Sequence, residues 1–198
     1  MDKKSTIKFF DDLAQEWDSR ENPVFNARIS GHIKNASIKK GDIIADVGCG
    51  TGILYPYFEL AGAASVLCVD ISPKMIAELK KKYPLADTLA ADFDEAALPL
   101  DYFDKVIIFN AFAHFENKEA TAAKARKILK SGGGFYIIHS LTRAELAKAH
   151  EAKAGLDKDI IPTKIEMREI FTSAGFENIL LKEDESGCFF SAKKINQE

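Results

Sequence analysis

The sequence predicts one α/β domain: a doubly wound, mostly parallel seven-stranded sheet, helices on both faces and a C-terminal antiparallel hairpin. Three observations lead there. Short β-branched runs alternate with helix-period segments from residue 42 onward, the pattern of strand–helix–strand crossovers. The first such run ends in a glycine-rich turn that opens straight into a helix. The last two apolar runs, 176–181 and 188–192, stand too close together for a parallel crossover, so they must pair antiparallel.

The elements follow in order. Phe9, Phe10, Leu13 and Trp17 recur at helix-like spacing, and Pro23 ends that segment before a second helix reaching about Lys34. Residues 1–40 therefore read as a helical segment laid on an α/β core of 41–198, within a single domain over 1–198. Lys39-Lys40-Gly41 turns the chain into a buried strand over 42–47, followed by a helix over 52–61 and a strand over 65–69. The next helix spans 73–83, with Ser72 as its cap and Pro73 in its first turn. Strands are expected at 85–91 and 105–109, then a helix over 118–129. Gly132 to Gly134 read as a turn into a strand over 135–139. Residues from 143 to 150 read as a helix, another covers 163–174, and the hairpin closes the fold.

Composition narrows the function. Lys and Arg number 27 against 30 Asp and Glu, a net charge of -3, which speaks against a nucleic-acid partner. The basic groups at Lys34, Lys39 and Lys40, and at Lys124, Arg126, Lys127 and Lys130, read as solvated helix faces. Residues 1–8 lack the apolar core of a signal peptide, and no run is long enough to span a membrane. Cys49, Cys68 and Cys188 have no paired spacing, so neither a metal site nor a disulfide is expected. A cytoplasmic protein, monomeric or homodimeric, fits these features.

The chemistry gathers at strand ends. In Asp46-Val47-Gly48-Cys49-Gly50-Thr51-Gly52 the glycines let the backbone turn tightly and approach a ligand with no Cβ in the way. Asp70 ends the second strand, 18 residues beyond Gly52, where a carboxylate can accept hydrogen bonds from both hydroxyls of a ribose. Asp92 follows the third strand beside Phe93, a pair suited to an adenine amino group and ring. A dinucleotide fingerprint would space its glycines Gly-x-Gly-x-x-Gly. Here the spacing is Gly-x-Gly-x-Gly behind an acid, Asp46, that would repel a pyrophosphate.

These segments, with Val69-Asp-Ile-Ser-Pro-Lys-Met75, Ala91-Asp-Phe93, Phe103-Asp-Lys-Val-Ile-Ile-Phe-Asn110 and Leu129-Lys-Ser-Gly-Gly-Gly-Phe135, resemble the successive motifs of class I S-adenosylmethionine (SAM)-dependent methyltransferases, in family order. The opening Phe10-Asp-Asp-Leu-Ala-Gln-Glu-Trp-Asp18 resembles the N-terminal segment of the ubiquinone/menaquinone-biosynthesis-like small-molecule methyltransferases. The resemblance implies a Rossmann-like fold, SAM as cofactor, S-adenosylhomocysteine as product and a small-molecule acceptor. It further implies that Gly48, Gly50 and Gly52 pass the methionine part of the cofactor, with Asp46 ordering their loop. Asp70 would hold the ribose, Ile71 and Met75 flank the adenine, and Asp92 and Phe93 meet its edge and face. Asn110 and Ala111 would lie near the methionine portion, with Trp17 in a lid over the site.

His139 and His114 are the candidate general bases, since both follow strands at the sheet edge that carries the cofactor. Each also suits a lining or strand-capping role. His139 ranks first because Arg143, Glu145 and His150 follow it on one predicted helix. Arg143 and His150 on one face would suit an anionic substrate group, although an exposed helix face is the simpler reading. Phe112 and Phe115 suit packing or a pocket wall. Asn110-Ala-Phe-Ala lacks the proline pair of amino-methylating DNA enzymes, and no Cys stands there as a cytosine-attacking nucleophile. Two other functions stay open: a SAM-binding protein without catalysis and, against the glycine spacing, an NAD-dependent oxidoreductase.

Overall fold

The computed structural model describes residues 2–20, 23–151 and 159–195. Helix α1 (Lys3–Leu13) opens the chain and α2 (Pro23–Asn35) follows two short 3₁₀ turns. The core then alternates: β1 (Ile43–Val47), α3 (Tyr55–Leu60), β2 (Ser65–Asp70), α4 (Pro73–Lys82), β3 (Asp87–Ala90), β4 (Phe103–Phe109), α5 (Lys118–Ile128) and β5 (Leu129–His139). Helices α6 (Arg143–Glu151) and α7 (Lys164–Ser173) precede the hairpin β6 (Phe176–Asp184) and β7 (Gly187–Lys194).

The seven strands form one sheet in the order β3-β2-β1-β4-β5-β7-β6. The pairs from β3 to β5 are parallel, while β7 runs antiparallel to both β5 and β6. Alternation along the strands explains the two covering layers. Val106 and Ile108 of β4 join Phe135 and Ile137 of β5 on the face under α5 and α7. Ile107 and Phe109 join Tyr136 and Ile138 on the opposite face, with Ile29 of α2, Phe58 of α3 and Leu79 of α4. Central strands buried on both sides read as continuous apolar runs, which is why they are legible without partners.

Several boundaries differ from expectation, and three of them have a clear local reason. Gly52 has a left-handed backbone (φ +88°), so no right-handed helix can run through it and α3 starts at Tyr55. The expected turn at Gly132 to Gly134 lies inside β5, because Phe103 pairs with Leu129 and Lys105 with Gly134, and the intervening residues bulge. The same pairing moves the start of β4 back to Phe103. Ser72 does cap α4, accepting from the Met75 N–H at 3.1 Å. Thr163 and Glu166 form a reciprocal capping box at the start of α7. No described helix is long and apolar enough to cross a membrane, and all three cysteines are free and buried.

Candidate active site

The parallel sheet brings the carboxyl ends of β1, β2, β3 and β4 to one edge, and its order reverses between β1 and β4, where open α/β sheets leave a crevice. A cavity of about 650 Å³ occupies that crevice. Gly48, Asp70, Ile71, Asp92, Phe93, Ala111 and His114 line it. Trp17, Asp46, Gly50, Gly52, Met75, Asn110 and His139 lie outside its lining.

Gly48 stands at the switch point itself. Its backbone is left-handed (φ +68°), and a Cβ there would lie 2.5 Å from the Ala111 Cβ after β4. Only glycine fits two loops that close together. The Val69 carbonyl accepts from the N–H groups of both Gly48 and Cys49, at 2.8 and 3.1 Å. Asp70 completes the anchorage, its Oδ2 accepting from Gly50 N–H and its Oδ1 from Ser72 N–H, both at 2.8 Å. The loop-ordering role expected of Asp46 thus falls to Asp70, which lies within reach of the loop amides. Gly52 serves packing, since a Cβ there would press on Leu79 Cγ at 3.0 Å.

Asp46 is 1% exposed, and its Oδ2 has no hydrogen-bond partner. Burial, with the adjacent Asp70 charge, pushes its carboxyl up to about 8. Burial also raises Asp70 to about 6, against the pull of the Ser72 and Gly50 N–H bonds. Both acids sit beside the glycine turn with their protonated forms favoured, and a cation brought close would favour ionisation instead.

The N-terminal segment straps across this edge. Lys3 and Thr6 of α1 line the cavity. Lys3 pairs with Asp92 at 2.9 Å and Glu95 at 2.6 Å. Asp11 accepts from Ser72 Oγ at 2.5 Å and Lys74 N–H at 3.2 Å, at the start of α4. Asp18 accepts from Thr51 Oγ1 at 2.5 Å and Lys82 Nζ at 2.7 Å. Trp17 lies over the glycine loop, its Nε1 3.9 Å from where a Gly50 Cβ would be. Met75, at 1% exposure, is a core residue of α4 and does not reach the cavity. Asn110 holds a left-handed turn (φ +52°) and pairs with Ser140, accepting its N–H at 2.8 Å and donating to its Oγ at 3.0 Å.

The two histidines separate. His139 is 1% exposed, its Nε2 has no partner, and it lines a separate cavity of about 30 Å³. Burial holds its imidazole down to about 3, helped by the positive fields of His114, His150 and Lys118. At the end of β5, His139 pairs with Cys188 of β7 and is enclosed with Arg143, Ile161 and Pro162, so it does not open on the crevice and does not serve as the first candidate base. His114 lines the main cavity, and its Nδ1 lies 2.7 Å from Asp159 Oδ2. Arg143 and His150 are committed elsewhere: Arg143 Nε donates to the Ile161 carbonyl at 2.7 Å, and His150 Nδ1 meets the Asp159 carbonyl at 2.6 Å. They clamp a backbone strap, where anion recognition or plain exposure had been expected. Phe112 is fully buried packing, whereas Phe115 forms part of the cavity wall.

Lys3, Asp11 and Asp159 were not identified from sequence. Asp11 sits inside the opening segment Phe10–Asp18, where an acid facing a helix start is a usable signal. Asp159 has none, lying 45 residues from His114 with no motif around it.

Comparison with known proteins places these features in context. Residues 45–137 match the family described as "Methyltransferase domain". Sterol 24-C-methyltransferase of Saccharomyces cerevisiae is 31% identical over 168 residues, covering 75% of this chain and 42% of that protein. A ubiquinone/menaquinone biosynthesis C-methyltransferase of Burkholderia vietnamiensis is 27% identical over 126 residues, covering 60% of this chain and 52% of that one. The chain thus spans about two fifths to one half of the length of these curated relatives. A putative SAM-dependent methyltransferase of Methanococcus maripaludis superposes with a TM-score of 0.73 at 18% identity, covering 100% of this chain and 95% of the other. A putative methyltransferase of Haloferax volcanii, solved in complex with the activator Trm112, superposes with a TM-score of 0.75 at 20% identity, covering 94% and 98%.

Proposed function

We propose that this chain is a class I SAM-dependent methyltransferase that binds SAM in the β1–β4 crevice and transfers the methyl group to a small-molecule acceptor. The observation that carries this reading is the Gly48 turn pressed on Ala111 at the switch point, with the unpartnered Asp46 carboxyl buried behind it. The residues fit the group. Asp70 keeps lone pairs for ribose hydroxyls after its two backbone bonds, and Ile71 and Phe93 give apolar walls for adenine. Asp92 can accept from the adenine amino group, provided Lys3 shares it. A cavity of about 650 Å³ is the size of a small-ligand site, which supports a small acceptor.

SAM, when bound, supplies a methyl group on a cationic sulfonium, whose carbon–sulfur bond breaks toward sulfur as the acceptor's lone pair forms the new bond to carbon. The chain's contribution is placement. Holding both reactants in line lowers such a barrier by about 7–11 kcal/mol. The strap of α1 and Trp17 shields the crevice from water, with Asp70 lining it and Asp46 buried behind the glycine turn. His114 replaces His139 as candidate base, because it alone of the two lines the cavity. General-base assistance adds roughly 10²–10⁴-fold.

Isothermal titration with SAM, S-adenosylhomocysteine and NAD tests the reading. Micromolar binding of the first two and none of NAD is expected; binding of NAD alone overturns it. In the same experiment Asp70→Ala weakens SAM binding by about 1.5–3 kcal/mol, the loss of charge-assisted hydrogen bonds. An unchanged dissociation constant would remove Asp70 from the site.

A further inference from the structure

Of the four histidines, His32, His139 and His150 are buried, and His114 is the one that lines the cavity. Behind its ring, on the side away from the cavity, Asp159 presents a carboxylate whose side chain is 4% exposed, 2.7 Å from His114 Nδ1. A carboxylate only accepts, so the proton between them belongs to Nδ1, and whenever the ring is neutral its lone pair is on Nε2. Burial pushes the Asp159 carboxyl up, but several favourable interactions, the His114 hydrogen bond first among them, together hold it below the ordinary range. Its backbone is fixed as well. The Asp159 carbonyl accepts from His150 Nδ1 at 2.6 Å, and two residues on the Ile161 carbonyl accepts from Arg143 Nε at 2.7 Å. Helix α6 therefore holds the carboxylate in place behind the imidazole. On the other sides Phe10 of α1 meets the His114 ring edge-on at 5.2 Å, and His150 lies tilted against it at 5.3 Å. Charged and titratable neighbours are Lys118 of α5, His139 of β5, His150 of α6 and Glu116 on the cavity wall.

We propose that Asp159 is the positioning residue of His114: it fixes the tautomer whose Nε2 faces the cavity as proton acceptor, so the molecule methylated here carries a hydrogen on the attacked oxygen, nitrogen or sulfur. This rests on the methyl-transfer reading above and deepens it. The acceptor's X–H bond breaks toward X, its proton passes to His114 Nε2, and the electron pair left on X forms the bond to the methyl carbon. The resulting imidazolium sits between that proton and the Asp159 carboxylate, the arrangement by which an acid orients and stabilises a histidine base in hydrolases. Attack through a carbon that carries no acidic hydrogen would make no use of this base, which separates the proposed class from the carbon methylation in the sterol relative's name.

The test needs no acceptor. The full chain is labelled with ¹⁵N-histidine, and the side-chain nitrogens are followed through a pH titration in wild type and Asp159→Asn. Calorimetry with SAM and S-adenosylhomocysteine is run on the same samples. Expected are an Nδ1–H tautomer for wild-type His114 and a fall of about tenfold or more in its proton affinity in Asp159→Asn, with S-adenosylhomocysteine still bound. A purely structural Asp159 would leave the tautomer and titration unmoved. An Nε2–H tautomer in wild type, or an unmoved midpoint in a variant that still binds S-adenosylhomocysteine, overturns the assignment. If Asp159→Asn loses its ligand, the wild-type tautomer decides alone. A wild-type chain that binds no SAM sinks the methyl-transfer reading, and the tautomer still judges the His114–Asp159 pair.

Discussion

Asp46 and Asp70, on the neighbouring strands β1 and β2, both carry carboxyls that burial raises, to about 8 and about 6. Each holds its proton in the folded chain at pH values where the unfolded chain, with carboxyls near 4, has released it. The folded state therefore gains protons relative to the unfolded one between about pH 4 and 8. That contribution is fully present below pH 4 and is lost as pH rises through 6 and then 8. The melting temperature of the ligand-free chain should fall from pH 6 to pH 9, by an amount on the order of a few kcal/mol in stability. In Asp46→Asn the slope should flatten, and SAM should flatten it in wild type, since a cation favours the ionised carboxyl. Melting curves across pH check both; equal slopes in wild type and variant would mean Asp46 is ionised throughout. The existence of these acids was legible, because each ends a predicted strand. Which of them ties down the loop was not: that depends on Asp70 lying beside Gly50 N–H across two strands.

The glycine turn, an element of seven residues, is held from two directions: by the Val69 carbonyl and Asp70 on the β2 side, and by Ala111 on the β4 side. Gly48→Ala should therefore fail twice, through the left-handed backbone, at about 1–2 kcal/mol, and through the Cβ pressed on Ala111. SAM affinity should fall more than tenfold with the sheet still formed, as read by calorimetry and circular dichroism. Normal affinity in that variant would show that the two loops can part without harm. Element types were legible from periodicity, and Ser72 as a cap from its Pro73 neighbour. Element ends were less so. The glycines at 132–134 read as a turn by composition, yet Leu129 pairs with Phe103 and draws them into a strand. The fate of a glycine run depends on what lies opposite, and that partner is 26 residues upstream.

Across the whole molecule, the C-terminal hairpin is joined to the parallel core by aromatic packing. Phe171 of α7 is fully buried, with ring centroids 5.0 Å from Phe135, 5.6 Å from Phe176 and 4.4 Å from Phe190. Phe171→Ala should cost about 3–5 kcal/mol in urea unfolding, as expected for truncating a buried phenylalanine. Since the crevice lies at the other strands' ends, SAM affinity should hold under conditions where the variant is folded. A loss under 1 kcal/mol would mean the hairpin carries itself. What the sequence by itself determined is the set of local choices: the strands buried on both faces, the helices between them, the glycine turn and the acids at strand ends. Each depends on neighbours within a few residues, through backbone freedom, periodicity and capping. Only the tertiary structure decided that β7 inserts between β5 and β6, that His139 is sealed in with Arg143 and Ile161 while His114 opens on the crevice, and that Asp159 lies behind His114. Those outcomes depend on which surfaces are buried against one another, and burial between residues 45 apart leaves no period or spacing in the chain to read.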